Sequence, residues 1–108
     1  MASISEKQAA ELLEKEFPKV SRKLRWVVVK IFEHLRNRQS NVILGPRPAY
    51  LALVDPELTR KCMLFLIRED LRAGGNAPIY IRTNPVDDVA RGGEGRIEIE
   101  FQEWRRRS

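Results

Sequence analysis

One segment constrains this chain more than any other: between Lys19 and Arg38, Val20, Leu24, Val27, Ile31 and Leu35 recur at intervals of three and four residues. At 3.6 residues per turn this spacing lays them along one side of a helix, a stripe that is stable in water only when another element covers it. The fold must be built against that helix. Val28 and Val29 widen its apolar side, while the rest of its surface is basic: Lys19, Arg22, Lys23, Arg25, Lys30, Arg36 and Arg38 stand against a single acid, Glu33. On a wheel of ~100° per residue, Arg22, Trp26 and Lys30 stack one turn above another, away from the stripe. A basic row attracts polyanions, and an indole among the cations offers a face on which a base can stack.

The elements expected around this helix follow from caps, breakers and periodicity. Ser5 caps a helix that starts at Glu6, carries Ala9, Leu12 and Leu13 on one side and ends at Pro18. The basic helix then runs from after Pro18 to about Arg38. Asn41 to Leu44 reads as a short strand, Gly45-Pro46-Arg47-Pro48 as a proline turn, and Ala49 to Val54 as the return strand. Asp55-Pro56-Glu57 starts a further helix, which reaches about Ala73 and stops at Gly74-Gly75. Ile79 to Thr83 and Ile97 to Phe101 alternate with a period of two, as antiparallel neighbours do, and a long loop, Asn84 to Gly95, joins them. The expectation is an α+β fold in the order ααββαββ, three main helices on a four-stranded, mainly antiparallel sheet.

A length of 108 residues bounds a single domain, 1–108, with residues 1–4 and 104–108 expected to fray. Its 43% apolar content is that of a globular chain, and a net charge of +5 favours acidic partners without proving one. The acids gather outside the basic helix, at Glu6 to Glu16, Glu57, Glu69-Asp70, Asp87-Asp88 and Glu94 to Glu103. Cys62 is the sole cysteine and lies in an apolar run, which excludes disulfide and cysteine-rich metal frameworks within one chain. No apolar run approaches the ~20 residues that span a bilayer, so the expected address is cytoplasmic, with no membrane partner. Dense charge, mostly arginine on the basic side, and proline in the turns agree with a protein from a hot environment.

The candidate binding residues pair cations with aromatics. Arg22, Lys23, Trp26 and Lys30 form the first group, for which the plainer reading is a solvated helix face with Trp26 against a neighbouring apolar surface. Arg47 and Tyr50 form a second pair, or else take part in ordinary turn and sheet packing. Tyr80 and Arg82 share a strand face that serves either as a stacking platform or as a place where Arg82 meets Glu98 or Glu100 across the sheet. Arg91 precedes a glycine-rich stretch that can close over a flexible strand or be a plain surface loop. Enzyme activity is not expected. His34 is the sole histidine, so no triad can form around it; Asp87, Asp88 and Glu94 lack a catalytic spacing; and Gly92 to Arg96 precedes a strand instead of opening a helix, unlike a phosphate loop. No metal or cofactor is implied. Along the helix after Asp55, Leu58, Cys62, Phe65 and Leu66 cover one side while Met63, Leu64, Ile67 and Leu71 cover much of the rest, a surplus that one sheet cannot bury and that suggests a homo-oligomer, a dimer or tetramer.

Through Val20 to Leu35, Asn41-Val-Ile-Leu-Gly45, Asp55 to Gly75, and Ile79 to Arg82 with Gly95 to Phe101, the chain resembles the ThermoDBP-like family, the single-stranded DNA-binding proteins of Thermoproteales and their archaeal relatives. The resemblance covers most of the chain but carries no sharp motif. It implies an α+β domain that is not an OB-fold, with a cleft of apolar floor and basic rim that takes single-stranded DNA without sequence preference, and assembly into oligomers. The resulting expectation is a non-enzymatic binder of single-stranded DNA. The alternatives are an RNA-binding accessory protein and an oligomeric adaptor whose basic face docks an acidic protein.

Overall fold

The computed structural model describes residues 3–77, 79–85 and 95–102, with the side chains of 79–85 and 100–102 excepted. Along the chain come α1 (Glu6–Glu16), α2 (Arg22–Arg36), β1 (Asn41–Ile43), α3 (Pro46–Val54), α4 (Pro56–Arg72), β2 (Ile79–Pro85) and β3 (Arg96–Gln102). Among the described residues four helices therefore stand beside a three-stranded antiparallel sheet in the order β1-β3-β2, in place of the expected three helices on four strands.

The element that overturns the expected order is α3. The sequence places Pro46 and Pro48 in a turn and Ala49 to Val54 in a strand. Both prolines instead sit in the first turn of α3, where backbone N–H groups have no intrahelical acceptor, so their missing donors cost nothing. The run Ala-Tyr-Leu-Ala-Leu-Val is apolar at almost every position and so carries no period of its own. Burial chose the helix: Ala49 and Ala52, three apart, are enclosed, with Leu51 half-buried beside them. Asp55 closes α3 through its N–H to the Leu51 carbonyl (3.4 Å), and its carboxylate then caps α4 by accepting from the Leu58 N–H (3.1 Å).

α2 is the central helix, packed by α1, α3, α4 and β1. This explains why its buried set, Leu24, Val27, Val28, Val29, Ile31, Phe32 and Leu35, is broader than a single stripe. The sheet closes the core with Val42 of β1 opposite Ile97 of β3, both fully buried, and with Ile99. α4 is likewise enclosed, by α1, α2, α3 and β2. Met63 and Ile67, assigned above to a subunit interface, are buried within the single chain, and Leu64 and Leu71 are half-buried. The supposed surplus was counted against one sheet, whereas three helices also cover this one.

Ser3 and Ile4 are tied to the end of α4. Asp70, fully buried near the end of α4, accepts from the Ser3 hydroxyl (2.6 Å), the Ile4 N–H (3.0 Å) and the Ala77 N–H (3.3 Å), and Ile4 is buried. Arg36 adds hydrogen bonds to the Ser3 hydroxyl and the Ile4 carbonyl.

Candidate nucleic-acid interface

Two helix N-termini define the site. α2 is capped by the Ser21 hydroxyl, which accepts from the Leu24 N–H (3.2 Å), and its first residues are Arg22 and Lys23, with no acid in the first turn. α3 begins Pro46-Arg47-Pro48, again with no acid in the first turn. The positive end of a helix dipole disfavours cations and favours an anion, so basic residues at both ends raise the positive potential where the helices meet.

The position of α3 depends on a close backbone approach. Gly45 (φ +92°) precedes the helix and Gly95 (φ +75°) precedes β3, and the Leu44 N–H donates to the Gly95 carbonyl at 3.2 Å. A Cβ at Gly95 would overlap the Gly45 carbonyl and the Pro46 nitrogen, so only glycine lets the chain start α3 against the edge of β3.

Between the two helix starts lies a groove of about 830 Å³. Arg22, Lys23 and Trp26 line it from α2, and Pro46, Arg47, Pro48, Tyr50 and Leu51 from α3. Pro48 and Leu51 are half-buried and form an apolar floor, while Arg22, Lys23 and Arg47 are exposed at the rim. Trp26 keeps 46% of its surface in water and Tyr50 keeps 55%. Among the described residues three cations and no carboxylate line the groove, beside two exposed aromatic rings.

A second groove, of about 790 Å³, lies on the other side of Trp26, between α1 and α2. Arg22 and Trp26 line both, so they form the ridge that divides them. Glu6, Lys7, Ala10 and Glu14 come from α1, with Arg25 and Val29 from α2. Lys7 and Arg25 are its cations besides Arg22, and Lys30 follows Val29 on α2. Arg25 donates to the Val20 carbonyl (2.7 Å) and the Phe17 carbonyl (3.4 Å), holding the turn between α1 and α2. Lys30 Nζ sits 2.7 Å from Glu6 Oε1 and 6.0 Å from the centre of the Trp26 ring system.

The structure thus brings Arg22, Lys23, Trp26, Arg47 and Tyr50 together and leaves Lys30 outside the groove, on an ion pair. Tyr80 and Arg82 lie on β2, opposite Phe101 and Glu100 of β3, with a register irregularity between them. Arg91, with Asp87, Asp88 and Glu94, lies outside the described residues. Sequence reasoning missed Pro46, Pro48 and Leu51. Reading Pro-Arg-Pro as a helix start would have found them, because Arg47, Tyr50 and Leu51 then fall at the spacing of one helix face.

His34 is half-buried, and its Nδ1–H donates to the Lys30 carbonyl at 2.8 Å, an ordinary helix contact. Among the described residues no group of histidine, cysteine or carboxylate side chains is placed to hold a metal, and no helix is long and apolar enough to cross a membrane. Cys62 is buried, and burial first, then the Asp55 charge, push its thiol up to about 11. Compared with known proteins, the chain matches no family model, no curated protein and no solved structure.

Proposed function

We propose that this chain binds single-stranded DNA without sequence preference, in the groove between α2 and α3. The observation that carries the reading is the groove itself: Trp26 and Tyr50 exposed beside Arg22, Lys23 and Arg47, over an apolar floor and at two helix N-termini. Each component suits one part of a single strand. Cations and helix starts attract phosphate, and ring faces stack unpaired bases, at roughly 1 to 3 kcal/mol per base. A duplex hides its base faces inside the stack and cannot use the rings, so the preference is for single strands. The choice of DNA over RNA rests on the resemblance to the ThermoDBP-like family, whose cleft of apolar floor and basic rim has the same composition. Assembly into oligomers is not part of this reading, because its motive was the face of α4 that the chain itself covers.

Fluorescence anisotropy with matched single-stranded DNA, single-stranded RNA and duplex DNA, over a series of salt concentrations, tests this. The expected order is single-stranded DNA above RNA and both above duplex. Binding to duplex as tight as to single strands sinks the reading, tighter binding to RNA moves it to an RNA ligand, and absence of binding to all three leaves the acidic-protein adaptor.

A further inference from the structure

The two grooves flank one ridge, share Arg22 and Trp26, and are similar in volume, yet their charges differ. Among the described residues the charged groups on the walls of the α2–α3 groove are the cations Arg22, Lys23 and Arg47. On the α1–α2 side the carboxylates of Glu6 and Glu14 line the groove and offset Lys7 and Arg25, its cations apart from the shared Arg22. Glu6 also holds Lys30 at 2.7 Å, beside the Trp26 ring. From these observations we propose that Glu6 and Glu14 keep a nucleic-acid backbone out of the α1–α2 groove, with Glu6 withholding Lys30, and so determine on which side of Trp26 a strand lies.

The physical argument is electrostatic. A phosphate passing over Trp26 toward α1 would meet two carboxylates, and at ~0.1 M salt charges within about 10 Å of each other are incompletely screened. Lys30 would otherwise extend the basic row Arg22, Trp26, Lys30 by one turn of α2. Paired with Glu6, it offers an approaching phosphate little net charge. The exclusion acts on a strand already held by the proposed groove, and therefore rests on the single-stranded DNA reading.

The test uses oligothymidine of about 15 nucleotides, with affinity measured against salt for the wild-type chain, Glu6→Gln, Glu14→Gln and the double variant. Glu57→Gln combined with Glu98→Gln is the control for the net charge of the double variant, since both carboxylates are exposed and neither lines a groove. The double variant is expected to bind roughly fivefold tighter than the control at ~0.1 M salt, and its log–log salt slope to steepen by about 0.7 as one further phosphate is neutralised. Lys30→Ala is expected to change wild-type affinity by less than about twofold but to abolish the gain in the Glu6→Gln background, a coupling that a diffuse charge effect does not produce. If the wild type binds and the double variant matches the Glu57→Gln, Glu98→Gln control, the exclusion is wrong while the groove assignment stands. If the wild type fails to bind oligothymidine, both fall.

Discussion

Trp26 and Tyr50 hold much of their ring surface in water while the chain encloses Phe32, Leu13 and Met63 completely. An exposed tryptophan forgoes burial worth about 2 kcal/mol, which gives it a value in contact with a ligand instead. Trp26→Ala is expected to weaken binding of single-stranded DNA by roughly 1 to 3 kcal/mol and to leave the salt slope unchanged, because stacking displaces no counterions. Arg47→Ala should weaken binding and reduce the slope by about 0.7. Quenching is best read in a Trp104→Phe background, since Trp104 is the other indole of the chain. A Trp26→Ala protein that binds as well as the wild type removes the stacking role. Cys62 makes a prediction of a different kind. With its thiol raised to about 11, the reactive thiolate is scarce at pH 8, so iodoacetamide should label the folded protein far more slowly than the unfolded one, and faster as the pH approaches 11. Equal rates in the folded and unfolded states at pH 8 would contradict that burial.

At the scale of elements the site depends on how α3 is seated. Its N-terminus is fixed from one side by the approach of Gly45 to Gly95, and its C-terminus by Asp55, which ends it and caps α4. Gly95→Ala places a Cβ into the Gly45 carbonyl and forces a non-glycine residue to φ +75°, a conformation that alone costs on the order of 1 kcal/mol. The expected result is a lower midpoint of denaturant unfolding together with weaker DNA binding, because Arg47 and Tyr50 move with the start of α3. Unchanged stability and affinity in Gly95→Ala would show that the approach does not position the groove.

For the molecule as a whole, α2 is the hub on which three helices and β1 converge, and α4 packs against the other three helices and β2. Met63→Ala removes a fully buried side chain from that core and should cost roughly 2 to 5 kcal/mol in equilibrium unfolding. Sedimentation of the folded fraction should be the same as for the wild type. A variant of unchanged stability whose particle mass falls by a whole subunit would instead return Met63 to an interface between copies. The buried carboxylate of Asp70 ties Ser3, Ile4 and Ala77 to the end of α4, so the first residues belong to the folded unit.

Local signals in the sequence were sufficient for α1, α2 and α4. Ser5 and Asp55 are caps, Pro18 and Gly74-Gly75 are breakers, and the stripe from Leu24 to Leu35 has a helical period, all of which act through neighbours along the chain. The alternation of Ile97 with Ile99 likewise marked β3. Arg22, Lys23 and Trp26 were legible as one group because successive turns of a single helix bring them together. What tertiary structure decided lies between elements. Ala49 to Val54 is apolar throughout and carries no period, so packing against α2 selected its helix. The meeting of Arg47 and Tyr50 with Trp26 followed from that choice. Whether Lys30 was available depended on Glu6, 24 residues away and on another helix. The fate of Met63 and Ile67 depended on how many neighbours enclose α4, because burial is a property of the assembled surfaces and not of the pattern on one of them.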